Sequence, residues 1–220
     1  MVERLVHSRL QFPGPAHDVQ APLLSVPRIL GMTLGTVPAT VPYLSADKNL
    51  VEDWQSKLHG SHGFRVGIAW QGNPRHNQDF HRSIPLVEFA PLAQVEGVRL
   101  VSLQKGPGTE QLRHVAERFR ITHWDSLDEE AGPFMDTAAL MKNLDLVITS
   151  DTVTAHLAGA LGVPVWVALP IAPDWRWLLE REDSPWYPSM RLFRQSERAN
   201  WRGVFERIAG QLSSKDRSQK

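Results

Sequence analysis

Residues 144–162 read LDLVITSDTVTAHLAGALG. An apolar run, Leu146, Val147 and Ile148, passes without glycine or proline into Thr149, Ser150, Asp151 and Thr152. A continuous, partly β-branched apolar run fits a strand buried on both faces. The small and apolar residues of 154–161, with His156 among them, predict a helix starting where the strand ends. Strand, polar turn and helix in direct succession form the repeating unit of a parallel sheet, whose crossovers require a covering helix.

The same pattern extends in both directions from this stretch. Strands are predicted at 64–70, 98–103, 121–124, 144–149, 163–169 and 190–194. Helices are predicted at 85–94, 109–119, 136–142, 154–161, 175–181 and 201–212, the first ended or kinked by Pro91. Strand and helix thus alternate about six times, which predicts an α/β fold, a Rossmann-like doubly wound parallel sheet. The first sixty residues differ. Pro13, Pro15, Pro22, Pro27, Pro38 and Pro42 favour loops and extended pieces, with one helix at 47–58 that places Leu50, Trp54 and Leu58 on one face. The expected division is an N-terminal segment and linker at 1–60, a Rossmann-like domain at 61–213, and a disordered tail at 214–220.

Composition narrows the function classes. Lys plus Arg number 24 and Asp plus Glu number 24, so no net field favours nucleic acid or an anionic membrane. The absence of cysteine excludes disulfides and thiolate metal sites and fits a reducing, cytoplasmic setting. No stretch has the length and apolarity of a transmembrane segment, and residues 1–14 lack the apolar core of a signal peptide. Among the eight tryptophans, Trp166, Trp175, Trp177 and Trp186 fall near strand ends, where core packing and stacking on a ligand ring both remain open.

In a doubly wound sheet, ligands bind beyond the carboxyl ends of the strands. Three polar segments occupy such places. In the first, Ser150, Asp151, Thr152 and Thr154 either cap a helix or leave its amides and dipole to bind a diphosphate, with His156 one turn further on. In the second, residues 70–83 form a long polar loop in which Gly72 permits close approach, Gln71 and Asn73 offer polar groups, and Arg75 and Arg82 supply guanidiniums. His76 and His81 lie in the same loop, but no third ligand follows at a metal-binding spacing. In the third, residues 102–110 carry Lys105 and a glycine-bearing turn, without the spacing of a Walker or GxGxxG loop. A hydrolase reading of Ser150, Asp151 and His156 fails for want of the G-x-S-x-G elbow. Arg, Lys, Thr and free amides gathered on one sheet edge suit a phosphate-bearing ligand.

The run DTVTAHLAGALGVP at 151–164 resembles the donor-binding signature of glycosyltransferase family 9, the ADP-heptose:lipopolysaccharide heptosyltransferases. With GIAWQGN at 67–73, RSIPL at 82–86, SLQKG at 102–106, DWRWL at 174–178, SPWYP at 184–188 and RLFRQ at 191–195, it is more closely similar to the C-terminal region of bacterial tetratricopeptide-repeat (TPR) proteins carrying a family-9-like domain. The resemblance implies the C-terminal half of a GT-B fold that binds a nucleotide-diphosphate sugar, with inverting transfer where a complete active site is assembled. It places the diphosphate on the turn of Asp151, Thr152, Thr154 and His156 and near Arg82, with Gln71, Gly72 and Asn73 beside it, and the loop reading above adds Lys105 and Ser150 to these expected donor and phosphate contacts. It implies no cofactor and no metal, assigns no general base, and makes a separate N-terminal half, a TPR protein or a second copy the expected partner. Two departures accompany it. Val153 stands where the heptosyltransferases have glycine, and only about the last third of the N-terminal domain, including 22–27 and 41–44, has a counterpart here. A non-catalytic nucleotide-binding module and a degenerate interaction domain are the alternatives.

Overall fold

The computed structural model describes residues 19–60 and 63–216. The expectations for residues 1–18 and for the last residues of the tail lie outside these. The chain divides after Pro38 into two compact units. In the first, the described residues form short turns of 3-10 helix at Leu23–Ser25 and Leu34–Thr36 on either side of α1 (Val26–Ile29). Thr33 and Thr36 close a reciprocal capping box, the Thr33 amide donating to Thr36 Oγ1 at 2.8 Å.

The second unit holds the sheet. In chain order it runs α2 (Lys48–Lys57), β1 (Phe64–Ala69), α3 (Asp79–Arg82), α4 (Ala90–Ala93), β2 (Val98–Ser102), α5 (Gln111–Val115), β3 (Ile121–Thr122), α6 (Met135–Met141), β4 (Leu146–Ser150), α7 (Val153–Ala160), β5 (Val165–Leu169), β6 (Met190–Arg194) and α8 (Trp201–Asp216). The six strands pair in the order β3-β2-β1-β4-β5-β6, all parallel. This is the doubly wound order, and it bears out the expected fold class.

Alternation along each strand builds two cores. Val147, Val165 and Val167 face α2, α6 and α7, whereas Val66, Ile68, Ile148 and Trp166 face α4 and α8. Phe89 and Phe205, with ring centroids 4.1 Å apart, anchor the second layer. Trp54 of α2 is buried in the first, its indole donating to Asp136 Oδ1 at 2.8 Å. Through that bond α2 belongs with the sheet, so the division falls earlier than the expected residue 60.

Other expected helices are cut short for local reasons. Residues 85–94 split into a 3-10 turn at Leu86–Phe89 and α4, because Pro91 fits only a first helical turn. The helix expected at 175–181 shrinks to one 3-10 turn, Trp175–Trp177, since Leu178 takes a positive φ of 55° and ends it. At the other extreme, α8 continues through Asp216, past the expected start of a tail at 214.

Candidate functional site

Between β1 and β4 the sheet changes winding direction, and the crossovers leave towards opposite faces. A cleft of about 460 Å³ opens there, at the carboxyl edge. Its floor comes from the loops after β1 and β2 and from the first residues of α7. Gln71, Gly72, Asn73, Arg82, Lys105, Thr152 and Thr154 all line it. Ser150, Asp151 and His156 do not.

The start of α7 forms one wall of the cleft. Thr152 occupies the N-cap position in extended geometry, yet its side chain makes no cap bond. Its Oγ1 turns back instead, 3.3 Å from Thr149 Oγ1 and 3.5 Å from the Ser150 carbonyl. The first-turn amides are therefore left without a side-chain acceptor, and the positive end of the helix dipole faces the cleft. Val153 takes an ordinary helical position with its side chain half-exposed, so this turn forms without the positive φ a glycine would allow.

Arg82 bridges two walls. Its Nε lies 3.2 Å from Asp79 Oδ1, and its Nη1 donates to the Asp151 carbonyl at 2.9 Å. Asp79 is buried and also accepts from Ser83 Oγ at 2.8 Å, which fixes the guanidinium. A Cβ at Gly72 would sit 2.5 Å from Asp79 Oδ1 and 2.8 Å from Arg82 Nη2. Only glycine fits against this ion pair. Arg82 is thus partly neutralised and acts as a strut as well as a cation, whereas Arg75 is exposed and lies outside the cleft lining.

Lys105 is the freer charge. Its Nζ is 3.9 Å from Asp128 Oδ2, and 48% of its side chain is exposed. Asp128 has a positive φ of 60° and holds the start of α6, accepting from the Thr137 amide at 2.9 Å and from Thr137 Oγ1 at 2.6 Å. Asp136 returns the contact, accepting the Asp128 amide at 3.0 Å.

Gln104 is a positioning residue that sequence reasoning missed. Its Oε1 accepts from the Trp70 and Gln71 amides, both at 3.0 Å, while Nε2 donates to the Gln71 and Pro107 carbonyls at 3.0 and 2.8 Å. One buried side chain therefore sets the spacing of two cleft loops. The available signal was a lone amide side chain directly after an apolar strand. Gln71 is itself held, its Oε1 accepting from Gln111 Nε2 at 3.0 Å.

His156 serves a different neighbourhood. Its ring stacks on Trp177 with centroids 5.3 Å apart, and Nδ1 lies 3.2 Å from the Tyr187 hydroxyl. Burial, and then the Arg176 guanidinium, hold the imidazole below its ordinary pKa, against the pull of Asp151 and Asp174. Burial and the neighbouring Tyr43 hydroxyl push the Tyr187 phenol up, so it stays protonated. Ser150 is fully buried, and Asp151 contributes its carbonyl to Arg82. Among the described residues, no three His, Asp or Glu side chains group as metal ligands.

No family model matches the chain. Among solved structures it is similar to E. coli ADP-heptose LPS heptosyltransferase II, with a TM-score of 0.57 and 14% identity over 81% of this chain and 56% of that one. It is also similar to a family 9 glycosyl transferase from Veillonella parvula, with a TM-score of 0.56 and 14% identity over 78% and 52% of the two chains. The fold is that of these glycosyltransferases. E. coli heptosyltransferase WaaC with ADP follows at a TM-score of 0.51 and 16% identity, over 84% of this chain and 56% of that one. In sequence, the chain is 30% identical over 183 residues to protein FlbA of Caulobacter vibrioides, covering 82% of this chain and 30% of FlbA. It therefore spans about half the length of the structures it resembles and less than a third of FlbA. Among the described residues, no helix is long and apolar enough to cross a membrane.

Proposed function

We propose that the carboxyl-edge cleft binds the diphosphate of a nucleotide sugar, and that this chain is the donor-binding half of a GT-B glycosyltransferase. The observation that carries the reading is the turned-away N-cap. Thr152 leaves the first amides of α7 open where the side chains of Lys105, Arg82 and Thr154 converge. Open amides, a helix dipole and neighbouring cations together form an anion site. The glycosyltransferase fold makes a nucleotide sugar the ligand of choice, and Leu103, Pro107, Pro133 and Phe134 offer apolar walls suited to a nucleoside. Neutralisation of the departing diphosphate falls to Lys105, Arg82 and the helix, so no metal enters the proposal. Transfer with inversion takes place where a second Rossmann-like domain, in cis or on another polypeptide, supplies the acceptor site and its base.

Val153→Pro tests the reading directly. Proline is tolerated at the first helical position, and Thr152, at φ −141° and ψ 177°, already has the extended geometry required before it. The variant removes one amide donor and keeps the helix. Calorimetry should show nucleoside diphosphate affinity falling about tenfold, the equivalent of one charge-assisted hydrogen bond, with the melting temperature little changed. Affinity unchanged in a folded Val153→Pro protein overturns the proposal.

A further inference from the structure

The loop after β5 brings together two motifs that the diphosphate cleft leaves unused. Asp174 accepts from the Arg176 amide at 3.1 Å and pairs with Arg176 Nε, also at 3.1 Å. The Trp186 indole donates to the Arg176 carbonyl at 2.8 Å, and Trp175 meets Trp186 edge-to-face at 6.5 Å. Trp177 stacks under His156 on the first turn of α7. The turn, held by the Trp186 bond and by the Trp177 stack, presents a third ring, Trp175, which is 69% exposed. Beside it stand a carboxylate and a guanidinium, each about a third exposed. Their ion pair uses one carboxylate oxygen and one guanidinium nitrogen, leaving the others open to a ligand. Among the described residues, His156 Nε2 has no partner either.

A saccharide ring has an apolar C–H face and a rim of hydroxyls. An exposed indole takes the face, and planar charged groups take pairs of adjacent hydroxyls. A pure protein-docking face is a poorer fit, because the Asp174–Arg176 ion pair stands next to the exposed ring. The placement also matters. Thr152, Val153 and Thr154 line the cleft, while His156 on the same helical turn faces Trp177. A diphosphate at the start of α7 thus has the cleft on one flank and the tryptophan cluster on the other.

The geometry points to a sugar subsite formed by Trp175, Asp174, Arg176 and His156, which receives the saccharide moiety of the nucleotide sugar. This rests on the diphosphate reading above. It assigns the nucleoside to the apolar cleft and the sugar to the opposite flank of α7.

Calorimetry with ADP, UDP and GDP, each beside its sugar esters, tests it on the wild type, Trp175→Ala and Asp174→Asn. Trp175 is exposed, so its truncation leaves the core intact. The expected result is a loss of about tenfold or more in sugar-nucleotide affinity for Trp175→Ala and about fivefold for Asp174→Asn, with the free nucleoside diphosphate changed less than about twofold. Equal loss for both ligands, or no loss for either, overturns the subsite while the diphosphate reading stands. If the wild type binds no member of the panel, the diphosphate reading has failed. Saturation-transfer NMR with methyl glycosides then decides the subsite alone. Transfer to ring C–H protons that Trp175→Ala abolishes supports it, and no transfer to the wild type overturns it.

Discussion

Gln104 and His156 show how differently single residues support this edge of the sheet. Replacing Gln104 by alanine orphans two amides and two carbonyls at the base of the cleft. Each unsatisfied buried group costs roughly 1–3 kcal/mol, and partial access to water lowers the sum. Urea denaturation of Gln104→Ala should therefore show a loss of about 3 kcal/mol, accompanied by weaker nucleotide binding as the two loops relax. His156 makes a prediction about pH. Its folded pKa lies below the unfolded value of about 6.5, so the unfolded chain takes up the proton first. Stability contributed by the neutral ring is complete above about pH 6.5 and declines as pH falls through the window down to the folded value. His156→Gln should flatten that part of the stability–pH curve. An unchanged acid limb would show that other groups set it. Neither role was legible in the sequence. The Gln104 partners lie across two loops, and the hydroxyl facing His156 comes from Tyr187, 31 residues further on.

At the scale of elements, α7 repays the closest reading. Its residues Ala155, Ala158, Gly159 and Ala160 are small, and the room beside them is taken by Tyr187, whose ring lies where a Cβ on Gly159 would be, 2.5 Å from two ring carbons. Gly159→Ala gains about 1 kcal/mol of helix propensity and must displace a buried ring at about 1–3 kcal/mol or more. Its melting temperature should fall, and the Tyr187–His156 contact should break with it. A rise in melting temperature would mean that the ring moves freely. Strand positions were read well because near-continuous apolar runs between polar turns leave little ambiguity. Helices were read less well, since the segment at 175–181 has helical residues but surrenders its carbonyls to Arg194. That side chain donates to the carbonyls of Trp177, Leu178 and Arg181, an arrangement invisible to local pattern.

For the whole molecule, the sheet unit begins at Ala39, well before the first strand. The reason is α2. Trp54 is 2% exposed within the first core layer, and the Tyr43 and Leu44 amides donate to the Ala160 carbonyl at the end of α7. A chain beginning at Ala39 should keep the cooperative unfolding of the full chain. One beginning at residue 64 loses a buried tryptophan and its Asp136 bond, and should melt about 10 °C lower or more. Equal melting of the two would show α2 to be dispensable. The doubly wound class was legible from alternation alone, because a buried parallel sheet leaves few other ways to cover its faces. The site was legible only as a rim of polar turns. Which turns meet depends on strand order, and that order emerges only when the layers pack.

The uneven exposure of the tryptophans has an optical consequence. Of the eight in the chain, only Trp175 stands exposed, while the rest are buried or half-buried in protein. A collisional quencher such as acrylamide, added in solution, will therefore reach chiefly that one indole. The long-wavelength edge of the intrinsic emission should belong largely to Trp175, so the molecule carries its own luminescent gauge of whatever comes to rest on that rim.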